Sequence, residues 1–326
     1  MGIEASCNRQ INYLRISITD RCNLRCRYCM PPEGVEYKSH DDIMRYEEVE
    51  RFARVALEAG IDRFRLTGGE PLVRRGVLKL VGSLARLPGL NELSMTSNGY
   101  YLEDRAYELK QAGLDRINIS LDTLKAERFK KITRVDGLDR VRRGIDRARK
   151  VGLNPVKINV VIIRDFNDDE ILDFVNLSRK EGLQVRFIEL MPLNGESKER
   201  QKDYLPTAEI ITRIKQAGYQ LKPLDIIGSG PARNYEIVGG EGRLGFISPL
   251  SHNFCSSCNR LRLTADGYLK PCLAEDREFK LYDEAGRLLS QENLAKILAQ
   301  ACRVKPAAHS LTKEQQLARN MSQIGG

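Results

Sequence analysis

A glycine that ends a helix, followed by an apolar residue and then a strand, recurs along the first two thirds of the chain. The unit appears as Ala59-Gly60-Ile61, Pro88-Gly89-Leu90, Ala112-Gly113-Leu114, Val151-Gly152-Leu153 and Glu181-Gly182-Leu183. Glycine suits the left-handed conformation that terminates a helix. The spacing of these glycines, 24 to 39 residues, is that of one βα unit. Helices are predicted over 46–59, 77–87, 104–112, 138–151 and 168–181. A strand follows each glycine, and 11–19 supplies a first one. About six βα units in series predict an α/β chain forming a partial parallel barrel of the TIM type.

The strands alternate rather than running continuously apolar. Leu14, Ile16 and Ile18 oppose Arg15, Ser17 and Thr19, and Phe64 and Leu66 oppose Arg63, Arg65 and Thr67. Ile117 and Ile119 oppose Asn118 and Ser120, Ile158 and Val160 oppose Lys157 and Asn159, and Val185 and Phe187 oppose Gln184 and Arg186. An antiparallel sheet with one wet face would also alternate. The helix between each pair of strands argues against it, because parallel neighbours need such crossovers. Helices covering the apolar face leave the polar face to line the lumen. A lumen holding Arg15, Arg65, Lys157 and Arg186 requires water and an anion, because a buried unpaired charge is costly.

The pattern changes after Met191. A charged loop over 194–203 leads to a predicted helix over 206–217, then to short strands within 235–247 and 261–269. This divides the chain into a barrel (1–192), a C-terminal α+β region packing on it (193–309) and a polar tail (310–326). There is no membrane-length apolar run and no apolar leader in the first ten residues, so a cytoplasmic protein is expected. The net charge of +9 comes without an interleaved basic–aromatic stretch, so no nucleic-acid partner is expected.

Six of the eight cysteines form two triplets, Cys22–Cys26–Cys29 and Cys255–Cys258–Cys272. Three thiolates hold an iron–sulfur cluster and leave one iron open to chemistry, whereas electron carriers supply four ligands. The first triplet follows the first strand, at the end where barrel enzymes place their active sites. Its nearest histidine, His40, lies eleven residues away, which disfavours a four-ligand zinc site. The Cys-x3-Cys-x2-Cys spacing with Tyr28 inside it resembles radical S-adenosylmethionine enzymes. Gly68-Gly69-Glu70-Pro71 after the second strand resembles their second motif. The resemblance implies a 4Fe–4S cluster on Cys22, Cys26 and Cys29, whose open iron binds S-adenosylmethionine.

The second triplet, read alone, leaves three possibilities: zinc completed by His252, a cluster with a distant fourth ligand, or an open cluster that binds substrate. Cys258-Asn259-Arg260-Leu261-Arg262, with Arg15 seven residues before Cys22 and the terminal Gly325-Gly326, resembles the GTP 3′,8-cyclase family of molybdenum cofactor biosynthesis. The resemblance runs from Leu14 to the last glycine. It implies a second 4Fe–4S cluster on Cys255, Cys258 and Cys272, with the purine of GTP at its open iron. It implies S-adenosylmethionine contacts from Tyr28, Gly68, Gly69, Glu70, Ser120 and Met191. It implies GTP contacts from Arg15, Arg65, Thr96, Lys157, Asn159, Arg260, Leu261 and Arg262. Arg186, Gly325 and Gly326 would act in catalysis. The expected partners are GTP, an electron donor and the cyclic pyranopterin monophosphate synthase that takes the product, with no membrane and a monomer or homodimer. The rivals are a peptide-modifying radical enzyme and a zinc-dependent nucleic-acid binder.

Overall fold

The computed structural model describes residues 4–5, 9–192, 202–225, 230–309 and 318–325. β1 (Glu4–Ala5) and β2 (Arg9–Gln10) form a short antiparallel ribbon. The βα series follows as β3 (Tyr13–Ser17), α1 (Tyr46–Glu58), β4 (Arg63–Thr67), α2 (Val77–Ala85), β5 (Glu92–Ser97), α3 (Leu102–Gln111) and β6 (Arg116–Ser120). It continues through α4 (Ala126–Thr133), α5 (Leu138–Lys150), β7 (Lys157–Ile162), α6 (Ile171–Glu181) and β8 (Gln184–Glu189). Then come α7 (Thr207–Gln216), β9 (Leu221–Leu224), β10 (Arg233–Ile237), β11 (Arg243–Ile247), β12 (Arg260–Leu263), β13 (Tyr268–Lys270), β14 (Phe279–Lys280), α8 (Gln291–Arg303) and α9 (Met321–Ile324).

β3 to β8 lie side by side in chain order, all parallel. The five repeated glycines all take positive φ, from +66° at Gly182 to +100° at Gly113. The apolar half of each strand meets the helices. Leu14, Phe64, Ile117, Ile158, Val185 and Phe187 are fully buried, each side chain contributing roughly 1.5–3 kcal/mol of hydrophobic free energy. α5 turns Val141, Gly144, Ile145 and Ala148 inward and its arginines outward. Its Gly144 seats the helix on the chain entering α3, where a Cβ would lie 2.8 Å from the Gly99 carbonyl.

The strands after residue 193 continue the same sheet at both edges. β11 pairs in parallel with β8, and β10 and β9 follow it antiparallel. β12 pairs in parallel with β3, and β13 and β14 follow antiparallel. The order β14-β13-β12-β3-β4-β5-β6-β7-β8-β11-β10-β9 therefore has the six barrel strands clasped between two pieces of the C-terminal region.

Candidate functional site

The polar faces of β3 to β8, with β10, β11 and β12, surround one cavity of about 680 Å³. Both cysteine triplets lie on its wall. So do Arg15, Arg65, Lys157, Arg186, Arg260 and Arg262, joined by Arg116, which opens β6 and was not singled out from sequence. Arg63 stands outside, 3.9 Å from Asp62. Among the described residues, two carboxylates share the wall. Glu92 is paired with Arg116, and Asp122 lies beside Tyr28. The cations are therefore in excess, and their basicity records it. Burial, then Arg186, Arg116 and Arg65, push Lys157 down to about 6. Burial, then Arg65 and Arg116, push Arg186 down to about 9. Burial, then Arg262 and Arg65, hold Arg15 well below the usual value. Arg65 donates from Nε to Ser94 Oγ at 3.1 Å and lies over the Tyr13 ring.

Among the described residues, several polar atoms on this wall have no protein partner. They are Arg15 Nε, Arg186 Nε, Thr96 Oγ1, Asn159 Oδ1 and both amide atoms of Asn118. Native interiors leave few such atoms, so a cluster of them marks a ligand position. Asn118 was visible in the alternation of its strand but carries no charge to draw notice.

The first triplet occupies the loop after β3. The Cys29 and Met30 amides both donate to the Cys26 carbonyl at 2.9 Å. The Cys22 thiol accepts from Leu24 N at 3.4 Å and Asn98 Nδ2 at 3.7 Å. Burial pushes Cys22 up to about 12 and Cys29 up to about 11. Thiols so disfavoured as free anions are ionised by a metal rather than by the protein, and the donor set fits an iron–sulfur cluster. Tyr28 donates its hydroxyl to Asp122 Oδ2 at 2.7 Å while Val161 N holds Oδ1 at 2.8 Å. Gly68, Gly69, Ser120 and Met191 line the cavity beside this loop. The two glycines are needed for close chain packing. A Cβ on Gly68 would lie 2.3 Å from the Thr19 carbonyl, and one on Gly69 2.4 Å from that of Arg21.

Two of the expected contacts have side chains that lie off the cavity wall. Glu70 is fully buried and off the cavity wall. Its Oε1 accepts from Leu72 N and Ser97 Oγ and its Oε2 from Asn98 N, at 2.6 to 3.0 Å. It braces the loop. Leu261 is also fully buried away from the cavity, because alternation turns it to the opposite face of β12 from Arg260 and Arg262.

At the second triplet, His309 N donates to Cys255 Sγ at 3.4 Å and Arg260 Nη2 to Cys258 Sγ at 3.5 Å. Lys305 Nζ donates to the carbonyls of Arg260 and Pro271, both at 2.7 Å. Burial opposes ionisation of Cys258, but Arg260 and Lys305 outweigh it and bring the thiol down to about 6. His252 is exposed and off the wall. Among the described residues no group of His, Cys, Asp or Glu is arranged to hold a single metal ion. Cys255, Cys258 and Cys272 are the donors that would hold an iron–sulfur cluster here, on the cavity wall.

The tail ends at the same place. Met321 and Ser322 line the cavity, and the Ser322 N–H bonds to Cys29. The Gly325 carbonyl accepts from Thr67 Oγ1 at 3.1 Å and from Arg262 Nη1 at 3.3 Å. Gly326 and Cys7 lie outside the described residues.

The pattern of the Radical SAM superfamily matches residues 16–178, and that of Molybdenum Cofactor Synthesis C matches 183–311. The GTP 3′,8-cyclase of Moorella thermoacetica is 54% identical over 319 residues, 98% of each chain. The chain belongs to the GTP 3′,8-cyclase family. A second cyclase, from Petrotoga mobilis, is 47% identical over the same share. The fold extends further. Streptococcus suis SuiB bound to precursor peptide SuiA superposes with a TM-score of 0.62 over 92% of this chain and 67% of that one, at 15% identity. As a family member the chain is a radical S-adenosylmethionine enzyme of molybdenum cofactor synthesis, using 4Fe–4S clusters and S-adenosylmethionine. Among the described residues no helix is long and apolar enough to cross a membrane.

Proposed function

We propose that this cavity converts GTP into (8S)-3′,8-cyclo-7,8-dihydro-GTP, the first step of molybdenum cofactor synthesis. The observation that carries the proposal is one cavity, walled by two cysteine triplets, whose described cations outnumber its carboxylates and several of whose buried polar atoms lack a partner among the described residues. Cys22, Cys26 and Cys29 would hold one cluster and Cys255, Cys258 and Cys272 the other. The bound cofactors would supply one-electron cleavage of S-adenosylmethionine and removal of the C3′ hydrogen of GTP.

The chain's own residues do the rest. Arg15, Arg65, Lys157, Arg260 and Arg262 neutralise the triphosphate, since guanidinium groups give phosphate paired, planar hydrogen bonds. Thr96 and Asn159 offer neutral partners to the nucleoside, and Asn118 joins them. Tyr28, Gly68, Gly69, Ser120 and Met191 form the wall against S-adenosylmethionine. Holding GTP in one orientation would bring C3′ and C8 together for bond formation, and positioning of this kind is worth roughly 7–11 kcal/mol of barrier. Closing the C3′–C8 bond leaves a radical that must gain one electron and one proton, giving a product isomeric with GTP. Arg186, already made a better acid by burial, is the proposed proton source. Gly325 closes the site from the tail through its contacts with Thr67 and Arg262. The electron comes from an external donor, and the product passes to the cyclic pyranopterin monophosphate synthase in the cytoplasm.

The test is anaerobic reconstitution with iron and sulfide, then incubation with dithionite, S-adenosylmethionine and GTP, read by mass spectrometry. The wild-type chain should yield 5′-deoxyadenosine and a product isomeric with GTP. Cys26→Ser should abolish both. Cys258→Ser should keep part of the 5′-deoxyadenosine and lose the GTP product. Normal GTP conversion by Cys258→Ser would remove the second triplet from the substrate site.

A further inference from the structure

Residues 318–325 run from contacts at and beside β13 and β14 to the cavity wall, and one side chain fixes where they start. The Arg319 side chain is 14% exposed and meets two carboxylates. Nη1 donates to both oxygens of Asp266, at 3.0 and 2.9 Å. Nε and Nη2 donate to the two oxygens of Glu278, each at 2.8 Å. The guanidinium also lies 4.9 Å from the centroid of the Tyr268 ring. Asp266 takes a second cation, Lys38, at 3.0 Å. The Lys38 amide in turn donates to Asp20, two residues before Cys22. One carboxylate therefore ties the tail to the loop that carries the first triplet.

Little freedom remains between this clamp and Gly325. Asn320 and Gln323 form a reciprocal cap at the start of α9, Ile324 is buried, and Gly325 closes the turn by donating to the Met321 carbonyl at a φ of +76°. A Cβ on Gly325 would lie 2.5 Å from Thr67 Cγ2. Its carbonyl then meets Thr67 and Arg262. A shift at residue 319 is transmitted to that contact.

We propose that Arg319 is a positioning residue for the reaction. Its double carboxylate clamp sets the register in which Gly325 meets Thr67 and Arg262. Lysine cannot replace it fully, because one ammonium lacks the planar fork that serves both carboxylates. The proposal rests on reading the cavity as the cyclase site.

The experiment compares reconstituted full-length wild type, Arg319→Ala and Arg319→Lys. It measures amide hydrogen exchange over 318–325, turnover and KM for GTP, with iron content as a control. Arg319→Ala should speed exchange at Ser322 and Gly325 by about tenfold or more, the loss of charge-assisted bonds to two carboxylates. Turnover should fall by about tenfold with KM for GTP changed less than about threefold, because placement rather than ground-state binding is lost. Arg319→Lys should lie between the two. Should Arg319→Ala not fold, Glu278→Gln removes half the clamp from a less buried site and should show the same signs at smaller size. Native exchange in Arg319→Ala, or fast exchange with native turnover, would overturn the proposal alone. A wild-type chain that makes no product would overturn the cyclase reading and this proposal with it.

Discussion

Lys157 shows how a site can store its demand for a ligand in one proton. Burial and three neighbouring arginines bring its folded value to about 6, against an ordinary value near 10.5. Without an anion it is mostly neutral above that value. The sign follows from linkage. The folded state binds fewer protons than the unfolded one between about 6 and 10.5, so this group's contribution to stability rises with pH over that window. A triphosphate reverses the balance by favouring the ammonium. GTP binding near pH 8 should therefore take up close to one proton, and affinity should weaken as pH rises. Calorimetry in two buffers of different ionisation heat reads the uptake directly. Lys157→Met should abolish it. Equal uptake by wild type and variant would place the titrating group elsewhere.

At the scale of elements, the parallel register sets like charges side by side. Arg262 of β12 is paired with Arg15 of β3, and Arg15 with Arg65 of β4. Like charges on adjacent strands destabilise a sheet, and burial adds to the cost. Arg15→Leu should therefore make the ligand-free protein more stable, by about 1–4 kcal/mol, while weakening GTP binding by about tenfold or more. A urea titration and a binding isotherm measure the two, and a loss of stability would show that Arg15 is held by protein contacts instead. The alternation that makes this row was legible in the sequence, as were the helix-ending glycines, because both depend on local periodicity. Strand pairing at the edges was not. Nothing local in 243–247 or 260–263 says that β11 lies on β8 and β12 on β3. Glu70 and Leu261 mark the same limit. A motif places them near the site, but Glu70 is turned inward by three donors and Leu261 by the pleat of its strand.

The clasp changes what the whole molecule can do without. β3 and β8 are the outer strands of the six-strand series, and each is covered by a strand from beyond residue 193. A fragment ending at residue 192 would present both edges unpaired, with Leu14, Ile16, Val185 and Phe187 at or beside them, and unpaired apolar edges template aggregation. It would also lose the second triplet and three cavity cations, Arg260, Arg262 and Lys305. We propose that the boundary is one of motif rather than of folding. Fragment 1–192 should be insoluble, or soluble without a cooperative urea transition, although it retains every strand of the barrel and the first triplet. The full chain should unfold with the same midpoint whether followed by circular dichroism or by fluorescence of a probe placed in the C-terminal region. A soluble fragment that unfolds cooperatively and binds iron through Cys22, Cys26 and Cys29 would show instead that the barrel is a self-sufficient unit and that the clasp serves only the cavity.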